Sequence, residues 1–304
     1  MTVPQPRVDR GRCTERVPPL PVEVYHAFVQ FSSQEALPKL SLVNSIFRHE
    51  AQRRLYRDID VESLRQLVLL LRVLATKPTL ASLVHSWVIA PPRRFIRPLR
   101  AFYDLLSRAL HQTRNLQHLE LLLFGSYSHF LLDCPFSLTK LGIGADWDSH
   151  LSQWFAQQSK LVNITFYGSC LEPPNIGNNT LCNLQSFSGP SAALIRVVPG
   201  RPLDDVRLAL SDPMDLQVAT LRDVAMAVSA SSAIITSFVV QLRSPASEEY
   251  LPGITWFDRV SIAEALRPIA TALSSLTSFT FLFGGCFVSL VSYNYPRSCV
   301  FVRY

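Results

Sequence analysis

The chain lacks the cysteine and histidine patterns that mark a metal site or a disulfide framework. Its six cysteines include no pair with C-x-x-C spacing, and none belongs to a Cys/His cluster. Zinc sites and disulfide frameworks are recognised by such spacings, so their absence argues against both. We therefore expect free thiols in a reducing compartment, with no metal and no cofactor.

A long apolar run is also missing. The longest one, Phe279 to Val291, is interrupted by two glycines and falls short of the ~20 residues that a membrane-spanning helix needs. Residues 1–19 are rich in proline and arginine and contain no apolar stretch, so they fit neither a signal peptide nor a membrane anchor. We expect no membrane association, and a location in the cytoplasm and/or the nucleus.

Charged residues are few and unevenly placed. They make up 17% of a chain that is 48% hydrophobic, so a sizeable core can form. Residues 61–114 hold nine Lys/Arg against two Asp/Glu. The excess lies around Arg93, Arg94, Arg97, Arg100, Arg108 and Arg114. Nucleic-acid binding by these arginines is one hypothesis, but no aromatic residues alternate with them as a stacking platform requires, so a solvated basic loop is favoured.

Catalytic motifs are not found. The S-x-x-K string at Ser137 lacks the other motifs of a Ser–Lys enzyme. Asp146 and Asp148 suit a loop and a helix cap better than a catalytic carboxylate pair. These observations favour a protein that is not an enzyme.

Residues 20–60 read as three short helices. Val24 and Phe28 share one helix face, Asn44 is a good N-cap, and Phe47, Ala51 and Leu55 follow it at i, i+4 spacing. Helices this short bury little surface by themselves, so we expect a partner or a following domain to cover their apolar face.

The same residues resemble an F-box. The resemblance is carried by Leu20-Pro21-Val22-Glu23-Val24, by Leu37-Pro38-Lys39-Leu40-Ser41-Leu42-Val43-Asn44-Ser45-Ile46-Phe47-Arg48, and by Leu55-Tyr56-Arg57-Asp58-Ile59. Two positions depart from the family pattern: Ser45 replaces a frequent Lys or Arg, and Phe47 replaces the more frequent Trp. The family docks on the Skp adaptor of cullin–RING ubiquitin ligases. The resemblance therefore implies adaptor-binding roles for Leu20, Pro21, Val24, Phe28, Leu37, Leu40, Ser41, Val43 and Phe47.

The rest of the chain shows a weak internal period. The unit L-x-x-L-x-L begins at Leu116, Leu138 and Leu161, 22 and 23 residues apart, and helix-like stretches lie between several units. This spacing is typical of leucine-rich repeats. The asparagine or cysteine that standard repeats place after the strand is absent, so the repeats are degenerate. Together with the F-box resemblance, this is similar to fungal F-box proteins.

Strand alternation predicts which side chains meet a ligand. If Leu119, Leu141, Ile164 and Val206 point inward, their neighbours point out of the sheet. The residues predicted for target binding on that face are His118, Glu120, Lys140, Asn163, Thr165, Tyr167, Asp205 and Arg207. The alternative is that they are merely solvated.

The sequence therefore predicts a flexible segment 1–19, a small all-α F-box module of three helices at 20–60, and an irregular α/β leucine-rich-repeat solenoid at 61–304. The predicted function is an SCF-type substrate-recognition adaptor, in which the first module binds the Skp adaptor and the repeats bind a target protein. The alternative is a leucine-rich-repeat scaffold that acts outside ubiquitination.

Overall fold

The computed structural model describes residues 20–61, 63–90, 99–170, 175–177, 179–210, 218–242, 278–283, 286–291 and 302–303. The segment 1–19, which the sequence predicts to be flexible, lies outside these ranges. The chain divides into two compact units, Met1–Leu55 and Tyr56–Tyr304.

Helices occur throughout the described ranges. They are α1 (Val22–Phe31), α2 (Leu37–Leu40), α3 (Ser45–Arg57), α4 (Leu64–Thr76), α5 (Pro78–Ala81), α6 (Arg100–Gln112), α7 (Ser149–Gln157), α8 (Ser191–Val197) and α9 (Val218–Ser229), with a short 3-10 helix at Ser128–Leu131.

The described strands join one sheet. They are β1 (Asp58–Val61), β2 (Ser86–Ile89), β3 (His118–Gly125), β4 (Lys140–Ala145), β5 (Asn163–Phe166), β6 (Ser186–Gly189), β7 (Asp205–Leu210), β8 (Ser237–Leu242), β9 (Ser278–Phe283), β10 (Cys286–Val291) and β11 (Val302–Arg303). Strand order follows chain order. From β1 to β9 every neighbouring pair is parallel, whereas β10 pairs antiparallel with β9 and β11.

The predicted fold class is wrong. The chain is an α/β fold on a single, mainly parallel sheet, and not an all-α module followed by an irregular leucine-rich-repeat solenoid. The helix α3 ends at Arg57 and β1 begins at Asp58. The period that suggested repeats is also lost beyond β6, because paired residues are 19 apart between β6 and β7 and 32 apart between β7 and β8. Apolar alternation arises along any strand that has one covered face and one open face, so it does not by itself indicate repeats.

Local sequence explains several helix boundaries. The side chain of Asn44 accepts a hydrogen bond from the Phe47 N–H at 2.8 Å, and Asp148 accepts one from the Leu151 N–H at 2.8 Å. Both are N-caps, which satisfy backbone donors that have no partner inside the helix. The predicted caps at these two positions are confirmed.

The core of Tyr56–Tyr304 lies on one face of the sheet. A row of apolar residues crosses neighbouring strands in register, and all its members are buried: Ile59, Trp87, Leu119, Leu141, Ile164, Phe187, Val206 and Phe238. The helix α4 contributes Leu67, Leu71 and Leu74 to the same core at helical spacing. The predicted inward direction of Leu119, Leu141, Ile164 and Val206 is confirmed, so the residues that alternate with them form the opposite, open face.

Candidate functional site

The unit Met1–Leu55 has a small apolar core. Val29, Leu37 and Ala51 are buried together, and Leu40, Phe47 and Leu55 pack against them. Leu37 is only 2% exposed. A core this small leaves much of the apolar surface of three helices in water, because short segments bury a low fraction of their surface.

The predicted adaptor-binding residues fall into three groups. The exposed ones are Leu20, Pro21, Phe28 and Val43, and the half-buried ones are Val24, Leu40, Ser41 and Phe47. Leu37 is buried, so its side chain holds the helices together and does not face a partner in this structure.

The helix α1 carries two apolar faces. Tyr25 and Val29 are buried, whereas Val24, Ala27, Phe28 and Phe31 stand at i, i+3, i+4 and i+7 on another face. These four residues, with Glu23 and Ser32, line a shallow, open apolar surface on this helix, which we call the α1 groove. Apolar residues at this spacing normally face a core.

Phe31 in this groove, and two apolar residues near it in the sequence, are strongly exposed. Phe31 is 87% exposed, Leu42 is 79% exposed and Val22 is 57% exposed. The sequence analysis missed these three residues. The apolar residues at helical spacing from Val24 to Phe31 could have indicated Phe31. A helix with apolar residues on more than one face must pack against more than one apolar surface.

Polar and aromatic contacts fix the helices beneath this surface. The guanidinium of Arg54 donates to the carbonyls of Val29 and Ser32, where α1 ends. The ring of Phe47 meets Tyr25 edge-on at a centroid distance of 4.8 Å, and lies 6.4 Å from the ring of Phe28. The exposed side chain of Phe28 is therefore held in place from below.

A buried carboxylate connects α1 with α3. Glu50 on α3 lies 3.1 Å from His26 on α1, and Arg53 lies 3.6 Å from it. Burial by itself raises the pKa of Glu50, but hydrogen bonds with His26 and His49 and the charge of Arg53 outweigh burial and lower its pKa. Glu50 therefore stays ionised at neutral pH.

The open face of the sheet presents polar residues in register. One row crosses β1 to β9 at the first residue of each strand: Asp58, Ser86, His118, Lys140, Asn163, Ser186, Asp205, Ser237 and Ser278. A second row, two residues further on, includes Glu120, Thr165 and Arg207. Neighbouring strands are about 4.8 Å apart, so the first row is a continuous polar strip. The second row is interrupted by Val88, Gly142 and Val239.

The structure brings the predicted target-binding residues onto these rows. His118, Lys140, Asn163 and Asp205 belong to the first row, and Glu120, Thr165 and Arg207 to the second. Tyr167 follows β5, where its N–H donates to the Ile143 carbonyl at 2.7 Å. Lys140 and Arg207 are exposed, and the other six are half-buried.

Some contacts on the open face are internal. The Ser86 hydroxyl lies 3.1 Å from His118 Nδ1. Asp205 accepts a hydrogen bond from Ser186 at 3.0 Å and another from Arg207 at 3.2 Å. Ser86 and Ser186 were not predicted from the sequence, although both are polar and lie in register with the predicted residues His118 and Asp205.

The carboxyl ends of β3 to β5 hold a serine–aspartate cluster. Asp146 accepts hydrogen bonds from Ser126 and Ser169. Asp148 caps α7 and accepts another from Ser128 at 2.6 Å. Both carboxylates are thus engaged by hydroxyl groups, and the described ranges contain no group of three or more Cys, His, Asp or Glu able to hold a metal ion.

The thiols near this cluster are poor nucleophiles. Burial, and then the charge of Asp146, raises the pKa of Cys170 to about 12. Burial, and then the charge of Asp133, raises the pKa of Cys134 to about 12. A thiol reacts as its thiolate, so neither side chain is activated at neutral pH.

Only part of the predicted basic cluster can be located. Arg100, Arg108 and Arg114 are exposed. Arg93, Arg94 and Arg97 lie outside the described residues.

No family model matches the chain, and no curated protein matches it in sequence. Among the helices that the structure describes, none combines the length and the apolar composition needed to cross a membrane.

Proposed function

We propose that this chain is a substrate-recognition adaptor of an SCF-type cullin–RING ubiquitin ligase. The F-box-like residues 20–60 would bind a Skp-type adaptor, and the open face of the sheet would bind a target protein. The observation that carries the proposal is the α1 groove, where Val24, Ala27, Phe28 and Phe31 have the spacing of core residues and yet line an open surface.

Covering this groove would supply substantial binding energy. Removing a phenylalanine or valine side chain from water contributes about 1.5–3 kcal/mol. Phe28 and Phe31 are 58% and 87% exposed. Two large aromatic side chains on one helix face are the kind of central anchors on which protein interfaces depend.

The proposed mechanism needs no catalytic group in this chain. Ubiquitin transfer would be carried out by other subunits, in the cytoplasm and/or the nucleus. The chain would raise the effective concentration of the target near them. The polar rows of the open face suit target binding, because Lys140 and Arg207 are exposed, and Asn163 is half-buried on the strand next to Lys140.

The test is co-purification of the full chain with a Skp-type adaptor. We expect Phe28→Asp/Phe31→Asp to abolish co-purification, because the charges would have to be buried in the interface. The matched control is Leu69→Asp, an apolar residue of α4 that is 52% exposed and lies outside residues 20–60. Circular dichroism would establish that both variants are folded.

Adaptor binding that survives in the double variant would overturn the proposal. Absence of binding in the unmodified chain would also overturn it, and would leave a protein-interaction scaffold outside ubiquitination. Variants of the open face, such as Glu120→Ala/Arg207→Ala, should keep the adaptor and lose captured target protein.

A further inference from the structure

The basic residues of this chain are almost all arginine. Of its 29 lysines and arginines, 25 are arginine and four are lysine. Lysine is among the commonest residues of ordinary proteins. The four lysines, Lys39, Lys77, Lys140 and Lys160, all lie in the described ranges and are exposed. No ion pair joins them to other described residues.

Many of the arginines do not use the geometry that distinguishes arginine from lysine. A guanidinium is preferred where its planar donors form several directed hydrogen bonds. Arg201 does so, but six exposed arginines donate no side-chain hydrogen bond to any described residue and form no ion pair with one. They are Arg65, Arg72, Arg100, Arg114, Arg196 and Arg222. At these exposed positions lysine would provide the same charge.

One chemical difference between the two side chains remains. An uncharged lysine amine is a nucleophile, whereas a guanidinium stays protonated. In ubiquitin transfer, the lysine Nζ attacks the carbonyl carbon of the ubiquitin thioester carried by a conjugating enzyme. The N–C isopeptide bond forms, the C–S bond breaks, the thiol leaves, and the amine releases a proton to solvent.

On the basis of the proposed function, we propose that this chain is a poor acceptor of the ubiquitin that its own assembly transfers. A target receptor stays close to the ubiquitin thioester for as long as the assembly lasts. Each exposed lysine amine of the receptor therefore meets the thioester at a high effective concentration and can itself be modified. Arginine at exposed basic positions keeps the charge and removes the acceptor.

The structure also assigns where the residual modification falls. Lys39 belongs to α2 and lies next to the predicted adaptor-binding residues Leu40 and Ser41, so under the proposed function the Skp-type adaptor covers it. Lys77 lies between α4 and α5, and Lys160 lies between α7 and β5. Lys140 begins β4 on the open face and is covered only when a target is bound. Without target, the acceptors are Lys77, Lys140 and Lys160.

The experiment uses the full chain in a target-free assembly with a Skp-type adaptor, a cullin–RING core, activating and conjugating enzymes and ubiquitin. Ubiquitin per chain is quantified, and modified lysines are mapped by mass spectrometry. We expect sparse modification at Lys77, Lys140 and Lys160. The variant Arg65→Lys/Arg72→Lys/Arg114→Lys/Arg222→Lys should raise it about twofold or more, because uncovered amines increase from three to seven.

The matched control replaces the same four arginines by glutamine, which adds no amine and should leave modification at the level of the unmodified chain. The inference is overturned if the four added lysines do not increase modification, or if Lys39 is the main acceptor. Both outcomes are measured only in assemblies where the chain has bound the adaptor. Failure of the adaptor to co-purify is a different result, which overturns the proposed function and with it this inference.

Discussion

At the scale of single residues, the structure separates two side chains that the F-box resemblance groups together. Leu37 is 2% exposed and packs against Val29 and Ala51, whereas Val43 is 62% exposed. Leu37 is therefore a core residue, and Val43 is available to a partner.

Replacing Leu37 should mainly reduce stability, whereas replacing Val43 should mainly reduce adaptor binding. Leu37→Ala should lower the free energy of unfolding of the N-terminal helices by about 2–5 kcal/mol, because it leaves a cavity in a small core. Val43→Ala should change it by less than about 0.5 kcal/mol, and should weaken adaptor binding by about 1 kcal/mol. Urea denaturation followed by circular dichroism and a binding titration measure the two quantities. Equal losses of stability would contradict the assignment.

A buried arginine organises another part of the chain. Arg201 is 2% exposed, and its guanidinium donates to the carbonyls of Thr180, Gly177, Arg196, Pro199 and Val197. Burial lowers the pKa of Arg201. Carbonyl dipoles take the place of a counterion here, so the loop before β6 and the end of α8 depend on one side chain.

Arg201→Met should destabilise the fold by about 3 kcal/mol, because it leaves the buried Val197 carbonyl and several partly buried carbonyls without this donor. Arg201→Lys should restore little of this loss, since an ammonium has three donors and cannot reproduce the planar fork. The exposed Arg196→Met is the matched control and should be nearly neutral. The midpoint of urea denaturation measures all three, and full rescue by lysine would contradict the argument.

At the scale of elements, the contact between α1 and α3 makes stability depend on pH. The pKa of Glu50 is lowered below its ordinary value of 4.5 in the folded state. A carboxyl with a depressed pKa stabilises the fold above its unfolded pKa, and this contribution is lost as the pH falls through the folded value.

We therefore expect Glu50→Gln to be less stable than the unmodified chain at pH 7, by about 1 kcal/mol. The difference should shrink below pH 4.5 and vanish once Glu50 is protonated. Urea denaturation of both proteins at pH 7 and at pH 3 measures it. A difference that is the same at both pH values would show that the charge of Glu50 is not the cause.

Sequence patterns located many elements but not their grouping. The caps at Asn44 and Asp148 and the strand around Leu119 were predictable because their signals are local. The short strands β1 and β2 were not predicted, since their residues do not follow the L-x-x-L-x-L unit and their pairing partners lie 28 and 32 residues away. The fold class was predicted wrongly for the same reason. Strand pairing joins segments that are distant in sequence, so no single segment determines it.

The candidate sites show the same limit. Strand alternation predicted which polar side chains lie on the open face, but it could not predict which of them contact a target. The family resemblance pointed to Phe28 and Val43 but not to Phe31 or Leu42, because family positions record type and order, and not which side of a helix the neighbours leave uncovered.

At the scale of the whole molecule, the two compact units can be followed by different probes. All four tryptophans come after Leu55 in the sequence, and Trp87, Trp147 and Trp154 are fully buried. Tryptophan fluorescence therefore reports on the unit Tyr56–Tyr304, whereas far-ultraviolet circular dichroism reports on both.

In the Leu37→Ala variant we expect the two signals to separate. The circular dichroism should lose part of its helical signal at a lower urea concentration, while the fluorescence transition should keep the midpoint of the unmodified chain. Coincidence of transitions is the test of a single cooperative unit. Coincident transitions in the variant would show that the units unfold together.

The agreement between strand order and chain order has a mechanical consequence. Each strand from β2 to β9 pairs with the strand that comes before it and the strand that comes after it, so contacts across the sheet remain close in sequence. An end strand can detach by breaking one ladder while the remaining strands stay paired. Under tension, such a chain should lengthen in a series of small steps, each releasing one strand and its connection, and should recover by the reverse series when the load is removed.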